Sequence, residues 1–198
     1  MAEPKTLLEL AGADLRPAKM SDAALVLVDY QNEYLSGALA LPDAAQAIQR
    51  AVSLLTAARK AGAPIIHIAH KGRSGGLFDR DAERGQIAAA LAPQPGEAVI
   101  EKSLPNSFAG TDLHAVLTKT GRKNLVVAGF MTHMCVSSTA RAALDLGYRV
   151  TIDASACATR DLPDGVGGRV TADLVHKVAL VELSDRFAII ARSSEDLA

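Results

Sequence analysis

Three residues of complementary chemistry stand at or just beyond the ends of apolar runs. Asp29 follows Ala24-Leu25-Val26-Leu27-Val28, Lys102 closes Ala98-Val99-Ile100-Glu101, and Cys135 lies shortly after Val126-Val127-Ala128-Gly129. A thiol, a carboxylate to take its proton and an ammonium to hold the resulting charge are the parts of a cysteine nucleophile. Each residue alone has an ordinary structural reading: Asp29 a turn or helix cap, Lys102 a solvated strand end, Cys135 a small buried hydrophobe. The conjunction points to chemistry. Cys135 also falls where a strand, a glycine-started turn and a helix meet, so free backbone N–H groups and the positive end of the helix would favour a thiolate or an anion.

The elements that must carry these residues can be read from periodicity. Ala24–Val28, Pro64–Ala69, Ala98–Lys102, Asn124–Ala128, Tyr148–Ile152 and Phe187–Ile190 are runs of strand length. The first is apolar throughout rather than alternating, as in a strand buried on both faces of a parallel sheet. Helices are expected over Ala44–Ala61, stopped by Gly62, over Ala82–Leu91, over Leu113–Thr120, stopped by Gly121, from the Cys135 region to Leu146, and over Asp173–Leu183. Alternating strands and helices predict an α/β protein, a three-layer α/β/α sandwich with a six-stranded parallel sheet in the Rossmann-like order 3-2-1-4-5-6. Residues 1–22 read as an N-terminal arm, placed equally well on a neighbouring subunit or on the domain's own edge, and 23–198 as one domain. The glycine-dense Gly72–Gly76 segment reads as a flexible loop, either a lid or a mobile surface turn, and the tail 191–198 as frayed.

In sheets of this kind ligands bind beyond the carboxyl ends of the strands, where Asp29, Lys102 and Cys135 would converge. Competing chemistries find little support. No G-x-G-x-x-G follows the first strand and no G-x-x-x-x-G-K-[ST] occurs, so a dinucleotide or nucleotide site is not expected. His67 and His70 are three apart on a strand and point to opposite faces, His133 has no accompanying ligand cluster, and His114 and His176 sit in helical segments. No metal and no cofactor is expected. A net charge of −1 and the absence of Trp argue against a nucleic-acid partner. No apolar run approaches the ~18 residues of a membrane span, and two cysteines without a signal-like start fit a cytoplasmic protein acting on a small molecule. Cys157 reads as structural.

The motifs together are more specific. Leu25-Val26-Leu27-Val28-Asp29-Tyr30-Gln31-Asn32, Lys102 with Asn106-Ser107-Phe108-Ala109-Gly110-Thr111-Asp112-Leu113, and Val127-Ala128-Gly129-Phe130-Met131-Thr132-His133-Met134-Cys135-Val136, continued by Ser138-Thr139-Ala140-Arg141-Ala142-Ala143-Leu144-Asp145, occur in that order. On these the chain resembles the isochorismatase-like cysteine hydrolases, a superfamily that includes nicotinamidases, carbamoylsarcosine-type amidases and ureide hydrolases. The resemblance implies an Asp29–Lys102–Cys135 triad and a cis peptide bond at Phe130–Met131. It also implies an oxyanion hole from the N–H groups of Met131 and Cys135, and a homo-oligomer, dimer or tetramer. The implied activity is hydrolysis of a C–N bond in a small amide or ureide through a thioester. Two departures bear on substrate: Ile68-Ala69-His70 stands where nicotinamidases carry an Asp-x-His metal motif, and isochorismatases proper, which cleave a vinyl ether, typically lack the cysteine. Vinyl-ether hydrolysis and a non-catalytic or redox thiol protein on the same scaffold remain the alternatives. Tyr34, His70, Leu77, Phe78, Phe108, Met131 and Met134 are expected to wall the substrate pocket, although Tyr34 and Phe108 could equally be core aromatics.

Overall fold

A computed structural model describes residues 3–197. Strands β1 (Ala23–Val28), β2 (Ile65–His70), β3 (Ala98–Lys102), β4 (Asn124–Gly129), β5 (Arg149–Asp153) and β6 (Ile189–Ala191) form one sheet in the order β3-β2-β1-β4-β5-β6. Every pairing is parallel. β1 is buried along its whole length, as its uninterrupted apolar run requires of a strand covered on both faces. The order reverses between β1 and β4, whose registers place Val28 opposite both Ile68 and Gly129. The crevice above that switch is where Asp29 emerges.

Helices α1 (Leu7–Leu10), α2 (Glu33–Ser36), α3 (Ala44–Ala61), α4 (Leu113–Thr120), α5 (Ser137–Asp145) and α6 (Ala172–Arg186) accompany the sheet. α3 turns Ala47, Ile48, Ala51, Leu54, Leu55 and Ala58 into the core and ends at Gly62, which takes the left-handed φ of 64° that a residue with a Cβ resists.

The structure revises several expectations. Ala82–Leu91 is not one helix but two 3₁₀ turns, Glu83–Gly85 and Ala89–Leu91. Gly85 is pressed so close to Asp79 that a Cβ would lie 1.9 Å from its carbonyl oxygen, and Gln31 takes the Gly85 carbonyl at 2.7 Å, a group an α-helix would need for its own ladder. α6 runs on to Arg186, and the Phe187 and Ala188 N–H groups both cap it on the Leu183 carbonyl, so the last strand starts only at Ile189. The Asp161-Leu162-Pro163 segment carries a two-stranded ribbon, Leu162–Pro163 with Arg169–Val170. The tail is not frayed over its described length. Ser194–Leu197 forms a 3₁₀ turn held by Asp196, which accepts from the Arg192 N–H at 2.8 Å, and Leu197 is buried.

The arm lies on its own domain. The Leu7 N–H donates to Asp185 of α6 at 2.8 Å, and Arg149 at the start of β5 donates to the Asp14 carbonyl at 3.1 Å. The Gly72–Gly76 segment is tied down rather than loose: Gly72 N–H reaches the Phe78 carbonyl at 3.0 Å, Gly75 N–H reaches Asp79 at 2.7 Å, and Arg84 donates to the Gly75 and Gly76 carbonyls at 2.9 and 2.8 Å. Leu77 backs so closely onto Gly72 that a Cβ there would sit 1.8 Å from its carbonyl oxygen. Among the described residues no helix is long and apolar enough to cross a membrane.

Candidate active site

Asp29, Lys102 and Cys135 come from three different elements and meet. β1 delivers Asp29 with φ of 54°, a left-handed conformation that Asp tolerates better than most residues, and its N–H donates to the Ile68 carbonyl at 3.0 Å. Lys102 ends β3 two strands away, and its long side chain spans β2 to bring the ammonium to the crevice. Lys102 Nζ lies 2.6 Å from Asp29 Oδ2 and 3.3 Å from Cys135 Sγ, and both charged side chains are fully buried. The Asp29 contact is a close ion pair rather than an aligned hydrogen bond, and no described residue donates such a bond to either Asp29 oxygen. The carboxylate is thus held by charge and left open as a proton acceptor.

Cys135 does not open an ordinary α-helix. Thr132–Val136 makes a π-turn, closed by the Val136 N–H on the Met131 carbonyl at 3.2 Å, and α5 continues from it. Such widened turns recur at functional sites because they rotate one side chain off the helix's regular course. The preceding Phe130–Met131 peptide bond is cis, and among the described residues the Met131 N–H has no acceptor. Burial pushes the Cys135 thiol up to about 12, the nearby Asp29 charge adds to this, and Lys102 opposes it. The direction of that shift favours the thiol over the thiolate. Burial also raises Asp29 against the pull of Lys102, which makes it a stronger base than a solvated carboxylate.

The expected pocket wall divides. Tyr34 packs against Phe78 at 5.1 Å and Phe130 at 5.5 Å between ring centroids, and Phe78 against His70 at 5.0 Å. Phe78 has a left-handed φ of 57°, the one other non-glycine residue besides Asp29 with positive φ among those described. Met131 is buried and Met134, next to the cysteine, is exposed. Leu77 is exposed as well. Phe108 stacks on Tyr148, just before β5, at 6.0 Å and 19°, in the core-aromatic of its two expected roles. The Ser107 N–H beside it is bonded to Thr139 of α5 at 3.1 Å.

Two residues without an assigned role enter the site. Gln31 is fully buried and grips the backbone of His70 from both sides, accepting from its N–H at 2.8 Å and donating to its carbonyl at 2.9 Å. In the sequence, its only signal was an amide two residues after Asp29. Arg160 follows β5 on a stretch that runs beside the cysteine turn: Phe130 bridges Ala158, and the Ala158 carbonyl takes the Thr132 N–H at 3.0 Å and its hydroxyl at 3.1 Å. Arg160 stands within electrostatic reach of Tyr34 and His133, and its buried Nε has no partner among the described residues. Sequence spacing carried no signal for it, because only the parallel pairing brings it there.

The histidines have protein partners. His67 meets Glu97 at 2.9 Å, His133 contacts Thr159, His176 meets Thr132 at 2.9 Å and His114 meets Tyr148 at 3.0 Å, while His70 Nδ1 lies 3.4 Å from Lys102 Nζ. Cys157 is a free, buried thiol whose burial pushes it up to about 12.

The isochorismatase domain model matches residues 23–195. A secreted isochorismatase effector of Verticillium dahliae is 37% identical over 187 residues, covering 94% of this chain and 96% of that protein. A streptothricin hydrolase of Streptomyces noursei is 36% identical over 173 residues, covering 86% of this chain and 63% of that protein. The crystal structure of an isochorismatase from Pseudomonas putida superimposes with a TM-score of 0.94 at 44% identity, covering 99% of this chain and all of that one. Amidohydrolases stand among the relatives as well, maleamate amidohydrolase of Pseudomonas putida at 30% identity over 65% of this chain and 68% of that protein. With a family model spanning most of its length on a matching fold, the chain belongs to the isochorismatase family of hydrolases.

Proposed function

We propose that the protein is a cysteine-dependent hydrolase that cleaves a C–N bond of a small amide or ureide through a thioester. The observation that carries this reading is one buried ammonium held 2.6 Å from a carboxylate and 3.3 Å from a thiol. As Sγ attacks the substrate carbonyl carbon, Asp29 takes the thiol proton. With the thiol pushed up to about 12, transfer to Asp29 accompanies attack rather than preceding it. Lys102 holds the charge that passes between sulfur and carboxylate. The Met131 and Cys135 N–H groups receive the oxyanion, a contribution of about 3–4 kcal/mol per donor in enzymes where one has been removed. The intermediate collapses, the C–N bond breaks, and Asp29 returns its proton to the leaving nitrogen. Asp29 then takes a proton from water as its oxygen attacks the thioester, and the departing sulfur recovers that proton.

Tyr34, His70, Phe78, Met131 and Met134 line the substrate's place in this reading. Arg160 adds a positive charge at its edge, suited to a substrate with an acidic or carbonyl group there. We take residues 1–22 as an arm and 23–198 as the hydrolase domain, and the working assembly as a homo-oligomer. Leu174, Val178 and Val181, exposed at helical spacing on α6, support a contact surface. The two free cysteines support a reducing, cytoplasmic setting, although one relative is secreted. Incubation with a panel of primary amides and ureides should give ammonia or amine release. Mass spectrometry should show an acyl adduct on Cys135, and Cys135→Ala should lose both. Full turnover by Cys135→Ala, or pyruvate release from isochorismate without any amide turnover, would sink this reading.

A further inference from the structure

The Lys102 ammonium has three N–H bonds and is fully buried, so each must find an acceptor or cost the fold a desolvated donor. Cys135 Sγ takes one at 3.3 Å, while the Asp29 carboxylate 2.6 Å away draws the ammonium by charge. The other hydrogen-bond acceptor is His70 Nδ1, 3.4 Å from Nζ. His70 ends β2 in direct register with Lys102 on β3, so the two side chains leave the sheet side by side. Nothing about its ring is left to chance. Gln31 holds its backbone N–H and carbonyl together at 2.8 and 2.9 Å, and Phe78 packs on the imidazole at 5.0 Å and 57°. Phe78 is itself placed by its left-handed backbone and by the Gly72 N–H on its carbonyl.

We propose that His70 is a positioning residue of the catalytic centre: its Nδ1 takes one proton of Lys102, so that the ammonium stays aimed at Cys135 and close beside Asp29. An Nδ1 that accepts cannot carry a proton, so the neutral ring is fixed as the Nε2–H tautomer. Burial, reinforced by the Lys102 charge, brings His70 down to about 4, in keeping with a ring that stays neutral and accepting at working pH. The chemistry differs from that of a histidine base or a metal ligand. His70 neither takes the thiol proton nor holds an ion; it sets the direction of a cation.

The inference rests on Lys102 and Cys135 working together, but its test needs no substrate. Alkylation of Cys135 by iodoacetamide, followed at the Cys135 peptide by mass spectrometry, reads how well the ammonium supports the sulfur. His70→Leu keeps apolar contact with Phe78 and removes the acceptor; it should slow alkylation at mildly alkaline pH about tenfold or more. His70→Asn places its Oδ1 close to where Nδ1 stood and should stay within about threefold of wild type. Thermal melts of each variant establish that both are folded. An unchanged rate in His70→Leu, or equal slowing in the two variants, overturns the proposal. Should His70→Leu fail to fold, nitrogen-15 spectra of the unaltered protein decide: a bare Nδ1 and protonated Nε2 on His70 support the proposal, and the Nδ1–H tautomer overturns it. If amide turnover fails but alkylation follows this pattern, the substrate reading falls and the role of His70 stands.

Discussion

Replacing Lys102 with methionine separates what the Asp29–Lys102 pair does for the fold from what it does for chemistry. The two side chains are fully buried and 2.6 Å apart. Removing the ammonium leaves the Asp29 carboxylate in an interior site with no counter-charge, a loss of about 3–5 kcal/mol for buried pairs broken on one side. For a chain of this size each kcal/mol moves the melting temperature by about 2–4 °C, so Lys102→Met should melt roughly 6–20 °C below wild type. The sign of the pH effect is fixed by the same reasoning. Burial already raises Asp29, and without Lys102 its folded pKa stands further above the unfolded value. The folded state then binds the extra proton, so the variant should be most stable in acid and lose stability as pH rises through the folded pKa. The double variant Asp29→Asn, Lys102→Met removes both charges and should recover most of the lost stability while remaining inactive. Calorimetric or circular-dichroism melts over a pH series, with Cys135 alkylation as the chemical readout, make the measurement. A single variant that melts within about 2 °C of wild type, or a double variant no more stable than the single, would refute the claim that the buried pair is coupled.

Other perturbations test neighbouring parts. Gly129 has φ of 147°, and a Cβ there would lie 2.0 Å from the Val28 carbonyl, immediately before Asp29. Gly129→Ala should therefore force β1 and β4 apart, at a cost of about 1–3 kcal/mol or more, and slow Cys135 alkylation by moving Asp29; normal melting and normal alkylation together would show that this close approach is dispensable. Glu97 is held down to about 2, chiefly by the Arg59 guanidinium at 2.7 Å. Its folded pKa is depressed, so the stability it contributes is present above the ordinary value of 4.5 and is lost as pH falls toward 2. Melts over that interval should fall for wild type and be flatter for Glu97→Gln; parallel curves would argue against the linkage.

Much of this arrangement can be read along the chain. Continuous apolar runs are legible because a strand sealed on both faces admits no polar residue, and β1 through β4 lie within a residue or so of those runs. α3 and α4 are legible from their apolar spacing and their terminal glycines, which stand in the left-handed conformation at Gly62 and Gly121. The failures share a cause. Ala82–Leu91 has helical composition, yet Gln31 and Asp79 from other segments claim its backbone, and the glycines of the 72–76 loop give close contact with Leu77 and Arg73 rather than freedom. Of the two readings open for Phe108, pocket wall or core aromatic, its stacking on Tyr148 favours the second, and spacing along the chain carries no sign of that partner.

For the site, the sequence by itself determined the inventory: a carboxylate, an ammonium and a thiol, each at or just past a strand end, on a fold that gathers such ends. Those facts are local, set by residue type and by period. Only the tertiary structure decided who touches whom. The order β3-β2-β1-β4 puts Lys102 one strand further from Asp29 than Cys135 is, and only its long side chain closes the gap. Parallel pairing in register makes His70 the neighbour of Lys102, and pairing beyond the end of β5 brings Arg160 to the cysteine turn. Gln31 and His70 make their contacts across segments far apart in the chain, and residue type and spacing encode no such distances.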